Sequence, residues 1–173
     1  RFGIKVEKNF SSEELNKIIH ASEFQKTFDK ILRFAMTRPR SKKEVYDWFR
    51  RKKVPEELHS KLIQRLEKLD LLDDQKFAKW WVEQRVEFKK TGPKLLKLEL
   101  AQKGISREIV DSILKIEDID EEKLANELLK KKASKWERYD GETKRRKQTD
   151  FLLRNGFGWE IVKKVIGYVE EGV

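Results

Sequence analysis

The sequence predicts an all-α fold, a tandem array of three-helix units drawn out into an elongated body. One pattern recurs about every half-hundred residues: Lys53-Val54-Pro55-Glu56-Glu57-Leu58 aligns with Gly104-Ile105-Ser106-Arg107-Glu108-Ile109 and with Gly156-Phe157-Gly158-Trp159-Glu160-Ile161. Phe49, Leu100 and Leu152 stand five residues before Val54, Ile105 and Phe157, and Leu62, Ile113 and Val165 stand eight after them. A fixed period of this length marks one small supersecondary unit that buries its apolar face partly against its neighbour. Dense Lys, Glu, Leu and Arg with only eight Gly and three Pro favour helices and short turns over strands. A 38% apolar and 42% charged composition suits a thin body with much surface.

Taken in order, residues 1–26 read as a leading segment, the end of a region that extends further upstream. Phe2, Ile4 and Val6 alternate as in a strand, and Ser11 or Ser12 caps a short helix carrying Leu15, Ile18 and Ile19. Residues 27–73 form the first repeat. Phe28, Ile31, Leu32 and Ala35 make an amphipathic stripe that ends before Pro39. Ser41 and Glu44 have capping-box spacing ahead of Val45, Trp48 and Phe49. Pro55 then takes the first position of a third helix, with Leu58, Leu62, Ile63, Leu66 and Leu69 on one face. Residues 74–119 repeat the scheme, with helices over 74–88, 93–103 and 106–116, and Gly104 at a helix end that favours a left-handed residue. Residues 120–173 do so again over 120–138, 141–155 and 159–169, and Asn155-Gly156 closes the middle helix.

Charge is segregated within each repeat. The net charge is +10, from 41 Lys and Arg against 31 Asp and Glu. Residues 33–53 carry nine basic side chains and two acidic, whereas 54–75 carry three basic and six acidic. Residues 89–103 hold five lysines against Glu99, and residues 128–150 hold nine cations against four acids. If equivalent helices share one side of the array, these segments merge into a basic stripe suited to an extended polyanion. The residues expected to carry it are Arg38, Arg40, Arg50, Arg51, Lys52, Lys90, Lys94, Lys97, Lys144, Arg145 and Arg146. Ordinary solvated faces are the plain alternative, which a threefold recurrence disfavours.

Other chemistries find little support. The chain contains no Cys, so disulfides, thiolate metal sites and thiol nucleophiles are excluded, which fits the cytosol. His20 and His59 lack ligand spacing, so no metal is expected. Gly92-Pro93-Lys94 is no phosphate cradle, and no nucleophile, base and acid form a triad, so neither cofactor nor small-molecule substrate is implied. Glu121 and Glu122 read as helix N-terminal charges. Each second and third helix has the outline of a helix-turn-helix, but Glu56, Glu57 and Glu67 on the would-be reading helix oppose a phosphate-lined groove. Trp48, Phe49, Phe77, Trp81, Phe151, Phe157 and Trp159 fit core spacing better than base stacking, while Trp136, in basic surroundings, could anchor a partner at the surface. No apolar run reaches the roughly 20 residues of a membrane span.

Three stretches carry a resemblance. They are Leu32-Arg33-Phe34-Ala35 through Arg38-Pro39-Arg40-Ser41 and on to Leu69-Asp70-Leu71-Leu72-Asp73-Asp74; Gly92-Pro93 with Leu95-Leu96 and Lys103-Gly104-Ile105; and Phe151-Leu152 with Arg154-Asn155-Gly156-Phe157. In order and spacing, over roughly residues 24–170, the chain resembles the RecX family of recombination regulators. That resemblance implies a bacterial cytoplasmic protein of DNA repair and the SOS response, without catalytic residues. It implies a negative regulator that binds the RecA filament on single-stranded DNA and suppresses its extension, ATP hydrolysis and strand exchange. DNA is then a secondary contact. Apart from the resemblance, a monomer is expected, because each unit can pack on its neighbour within the chain. The alternative is a general nucleic-acid-binding helical module that acts by competition for DNA.

Overall fold

The computed structural model describes residues 10–167, where helices joined by short turns are the regular structure. Nine α-helices are present among the described residues: α1 (Ser12–Met36), α2 (Lys42–Lys52), α3 (Glu56–Lys68), α4 (Asp74–Gln84), α5 (Pro93–Gln102), α6 (Arg107–Glu117), α7 (Glu121–Lys131), α8 (Gly141–Arg154) and α9 (Trp159–Ile166). They fall into three successive triplets. The chain forms two compact units, residues 1–73 and 74–173, so that the second and third triplets fold together. The alternation at Phe2, Ile4 and Val6 and the end of the last predicted helix lie outside the described residues.

The recurring sequence pattern is a recurring backbone event. Lys53, Gly104 and Gly156 all adopt left-handed conformations, with φ of 52°, 78° and 89°. The next residue in each case donates its N–H back into the middle helix: Val54 to Phe49 O at 3.0 Å, Ile105 to Leu100 O at 3.1 Å and Phe157 to Leu152 O at 3.2 Å. This is the Schellman closure, which satisfies otherwise unpaired carbonyls at a helix end. Its accepting residues, Phe49, Leu100 and Leu152, are fully buried. The apolar positions that define the repeat therefore anchor the same turn three times.

In the first unit, Ser11 caps α1 through a full capping box with Glu14. Helix α1 then runs unbroken for 25 residues, so the expected short leading helix and the first helix of the repeat are one. No Gly or Pro interrupts residues 12–36, and Phe24 stacks on Phe28 across the expected break. Phe28, Ile31 and Ala35 from α1 meet Val45, Trp48 and Phe49 from α2 and Leu62 and Leu66 from α3. Ser41 caps α2, accepting from Glu44 N at 3.2 Å. Pro55 stands one residue earlier than predicted, as the N-cap of α3 with extended ψ of 136°. Leu69 leaves the core, because it is the C-cap of α3 and Asp70 at φ 59° turns the chain. His59 stacks on Phe49, and its Nε2 lies 3.0 Å from Val54 O, a packing role.

In the second unit, the helix expected over 74–88 widens into a π turn at Arg85–Lys89 and closes at left-handed Lys90. Arg85 there pairs with Glu99 of α5, whose carboxylate also accepts the Trp81 indole N–H at 2.9 Å. The first helix of the third repeat stops at Lys131 rather than 138. Trp136 turns inward there and packs edge-on against Phe151, 5.2 Å between ring centroids. Trp159, expected in the core, opens α9 and is 45% exposed, since the inward face of that helix begins at Val162.

The second and third repeats join through backbone. Gly92 N donates to Asn155 O at 2.8 Å and Lys94 N to Gly156 O at 3.0 Å, so the turn ending α8 caps the start of α5. A Cβ on Gly92 would lie 2.5 Å from Gly156 C, and one on Gly156 would lie 2.4 Å from Leu95 N. Only two glycines permit that approach. Val86 and Ile119 pack against the core clusters of both repeats.

Candidate basic interface

The sequence-predicted cations divide by what they already hold. Arg38 makes a bidentate pair with Glu44, 2.9 Å for both bonds, and donates to Pro39 O at 2.8 Å, which fixes the loop ahead of α2. Arg40 lies over the Phe34 ring at 3.8 Å and donates to Phe34 O and Thr37 Oγ1. Burial lowers its pKa, helped by the neighbouring Arg38 charge, while Glu44 opposes. Lys90 bridges to Glu127 of α7 at 2.8 Å, and that bond raises the Lys90 pKa and lowers that of Glu127. Lys97 holds Asp111 of α6 at 2.7 Å. These four side chains tie helices and loops together.

The others stand freer. At the end of α2, Arg50 keeps a contact with Asp47 yet is 80% exposed, Arg51 donates to the Asp47 backbone oxygen at 3.3 Å with its charge near the Asp47 carboxylate, and Lys52 is exposed with no ion pair among the described residues. Cations in a last helical turn also complement the helix dipole. On α8, Arg145 and Arg146 are exposed and Lys144 is half-buried, with no carboxylate partner among the described residues. They lie in the first two turns, where the helix dipole gives cations no support. Lys94 is exposed, close to Gly158 and to Glu121. The structure thus gathers Arg50, Arg51 and Lys52 at one helix end and Lys144, Arg145 and Arg146 on α8.

Sequence reasoning overlooked a second group on α8. Trp136, expected at the surface, is 4% exposed, and its burial folds residues 133–139 over α8. This makes a cleft of about 640 Å³ in which Lys135, Arg138, Lys147 and Arg154 converge. Arg138 donates to the Tyr139 hydroxyl at 2.9 Å, and Lys147 Nζ lies 4.7 Å from the centroid of the same ring. The Arg138 bond, aided by the Lys147 charge, pulls the Tyr139 phenol below its usual pKa. The signal was present as spacing, because 147, 151 and 154 share one helical face while 145 and 146 do not.

No group of three or more His, Cys, Asp or Glu able to hold a metal occurs among the described residues. No helix there is long and apolar enough to cross a membrane.

Comparison with known proteins places this architecture. Residues 73–114 match the family model described as RecX, second three-helix domain, and residues 120–166 match RecX, third three-helix domain. A regulatory protein RecX from Chlorobium phaeobacteroides is 33% identical over 145 residues, covering 84% of this chain and 94% of the relative. The chain belongs to the RecX family. The regulatory protein RecX of Oceanobacillus iheyensis is 31% identical over 156 residues, 89% of this chain, and there the chain spans 57% of the relative's length. Among solved structures, RecX from Lactobacillus salivarius matches with a TM-score of 0.71 at 29% identity, covering 85% of this chain and 96% of that one. A second crystal structure, of a regulatory protein RecX, has a TM-score of 0.78 at 19% identity and supports the fold alone. The two family matches fall on α4–α6 and α7–α9, the triplets that share the glycine junction.

Proposed function

We propose that this RecX chain is a non-enzymatic negative regulator of the RecA recombinase, acting as a cytoplasmic monomer. It binds the RecA filament on single-stranded DNA and suppresses filament extension, ATP hydrolysis and strand exchange, with DNA as a secondary contact. The observation that carries this reading is the pairing of family membership with exposed cations recurring at α2 and α8, where no described carboxylate neutralises Lys52, Arg145 or Arg146. Several weak charged contacts made by one folded chain to a repeating filament add through effective concentration. Lys90, Lys97 and Arg38 belong in this picture as struts, while Arg50, Arg51, Lys52, Lys144, Arg145 and Arg146 make the contacts.

The test is RecA's ATPase on single-stranded DNA at moderate salt, with this chain added well below the RecA concentration and below DNA saturation. Inhibition at such ratios is expected, because too few molecules are present to mask the DNA. Inhibition only after the DNA is coated, with a steep salt dependence, would instead identify a general nucleic-acid-binding module acting by competition.

A further inference from the structure

We propose that the cleft between residues 133–139 and α8 is a pocket for one unstacked nucleotide of a single strand. Its cations take the phosphates, and Tyr139 offers a platform beside the base. Lys135, Arg138, Lys147 and Arg154 line it with Asp150 as the one acid, a local balance of +3 from four cations and one carboxylate. None of the four holds a carboxylate among the described residues, in contrast to Arg38, Lys90 and Lys97. Four like charges converge here on a single lining carboxylate, and the repulsion that remains is relieved by a bound polyanion.

The shape of the cleft narrows the class of anion. Its volume of about 640 Å³ lies within the range of pockets that enclose a single small group. Tyr139 is half-buried, with the Arg138 guanidinium 5.0 Å and the Lys147 ammonium 4.7 Å from its ring centroid. Cations arrayed about an aromatic ring form the combination that binds single strands, one part attracting phosphates and the other stacking a base. An acidic peptide would use the charges and leave the ring idle. The ring is well supported, because the turn that carries it is pinned by buried Trp136. This inference rests on the secondary DNA contact proposed above, gives it a place on the chain, and needs no RecA.

The experiment is fluorescence anisotropy of the full chain with fluorescein-labelled hexathymidylate and with its abasic counterpart, over a salt series, alongside thermal melts of each variant. Arg138→Gln with Lys147→Gln should weaken hexathymidylate binding by roughly tenfold or more and flatten the log–log salt slope by about 1.4, two single-strand phosphate contacts. Tyr139→Ala should weaken it at least about fivefold, while Tyr139→Phe should bind like the parent, and the abasic strand should be insensitive to both. The proposal is overturned if these variants, folded by their melts, bind hexathymidylate like the parent. It is equally overturned if an oligoglutamate peptide displaces the strand better per charge than the abasic oligonucleotide does, which would assign the cleft to acidic protein. Because the RecA assay is separate, a failed pocket and a failed RecA reading are told apart.

Discussion

Arg38 and Lys52 are alike in a count of charge and opposite in use. Arg38 has a side chain 29% exposed and forms a two-pronged bond to a Glu44 that is 13% exposed, so removing it takes two charge-assisted bonds from a largely buried carboxylate. Arg38→Ala should lower the stability of the first unit by about 1–3 kcal/mol, read as a fall in denaturation midpoint. Replacing Arg50, Arg51 and Lys52 together with Gln should leave the melt within a few degrees and reduce inhibition of the RecA ATPase roughly tenfold or more. An unchanged inhibition curve would remove α2 from the contact surface. A pH effect follows from the same accounting of partners. Asp140 caps α8, and its bonds from the Thr143 backbone N–H and hydroxyl depress its pKa. A depressed carboxyl contributes stability that is present above its unfolded pKa, about 3.9, and is lost as pH falls through the lower folded value. Asp140→Asn keeps a capping oxygen but does not titrate, so its melting temperature should fall less than that of the parent on acidification through that window. Which cations were structural was hidden in the sequence, because their partners lie at separations such as Lys90 to Glu127, and no local pattern announces such a pair.

At the scale of the element, the legible features were those whose cause is local. The left-handed helix ends at Gly104 and Gly156, the Ser41 cap and the Pro93 helix start follow from one or two residues each, and they stand where the pattern puts them, while Ser106, expected as the first residue of its helix, caps it instead. Helix α1 is longer than expected because the boundary expected at Thr27, where the Phe28, Ile31, Leu32 and Ala35 stripe of the first repeat begins, is enforced by no Gly, Pro or cap. The length of α7 was misread for the converse reason: the chain from Ala133 leaves the helix to bury Trp136 against Phe151, a tertiary demand that overrides propensity. The repeat also exposes a local conflict. Two copies place glycine at the left-handed position and the first places Lys53, a residue with a Cβ at φ 52°. The steric penalty there is about 1–2 kcal/mol, partly balanced by the added chain entropy of glycine. Lys53→Gly should therefore stabilise the first unit by up to about 1 kcal/mol and raise its melting temperature by a few degrees. A lower melting temperature would show that the lysine side chain does more for the turn than its backbone strain takes away.

For the whole molecule, three repeats in sequence become two units in space, and the cause is a contact with almost no side-chain signature. Gly92 and Gly156 meet backbone to backbone, while Lys90–Glu127 and Lys131 with Phe88 O at 3.2 Å span the same two repeats. An apolar period predicts which residues are buried, but it does not say which copies fuse, because glycine leaves no mark in the hydrophobic pattern. The third repeat depends on the second for partners of the Asn155 and Gly156 carbonyls and for cover over its shared core. Residues 74–173 made alone should therefore melt in one cooperative transition, whereas residues 120–173 made alone should stay largely unfolded. Gly92→Ala drives a Cβ into the Gly156 backbone, and it should lower the stability of that single transition by about 1–3 kcal/mol, the range for forced overpacking. Gly141→Ala is the matched control, since a Cβ there meets nothing within 4 Å and alanine favours the helix. If Gly92→Ala instead splits the melt into two, the repeats are separately stable and the junction is a hinge rather than a shared core. If it leaves the melt unchanged, the backbone approach of the two glycines is not what joins them.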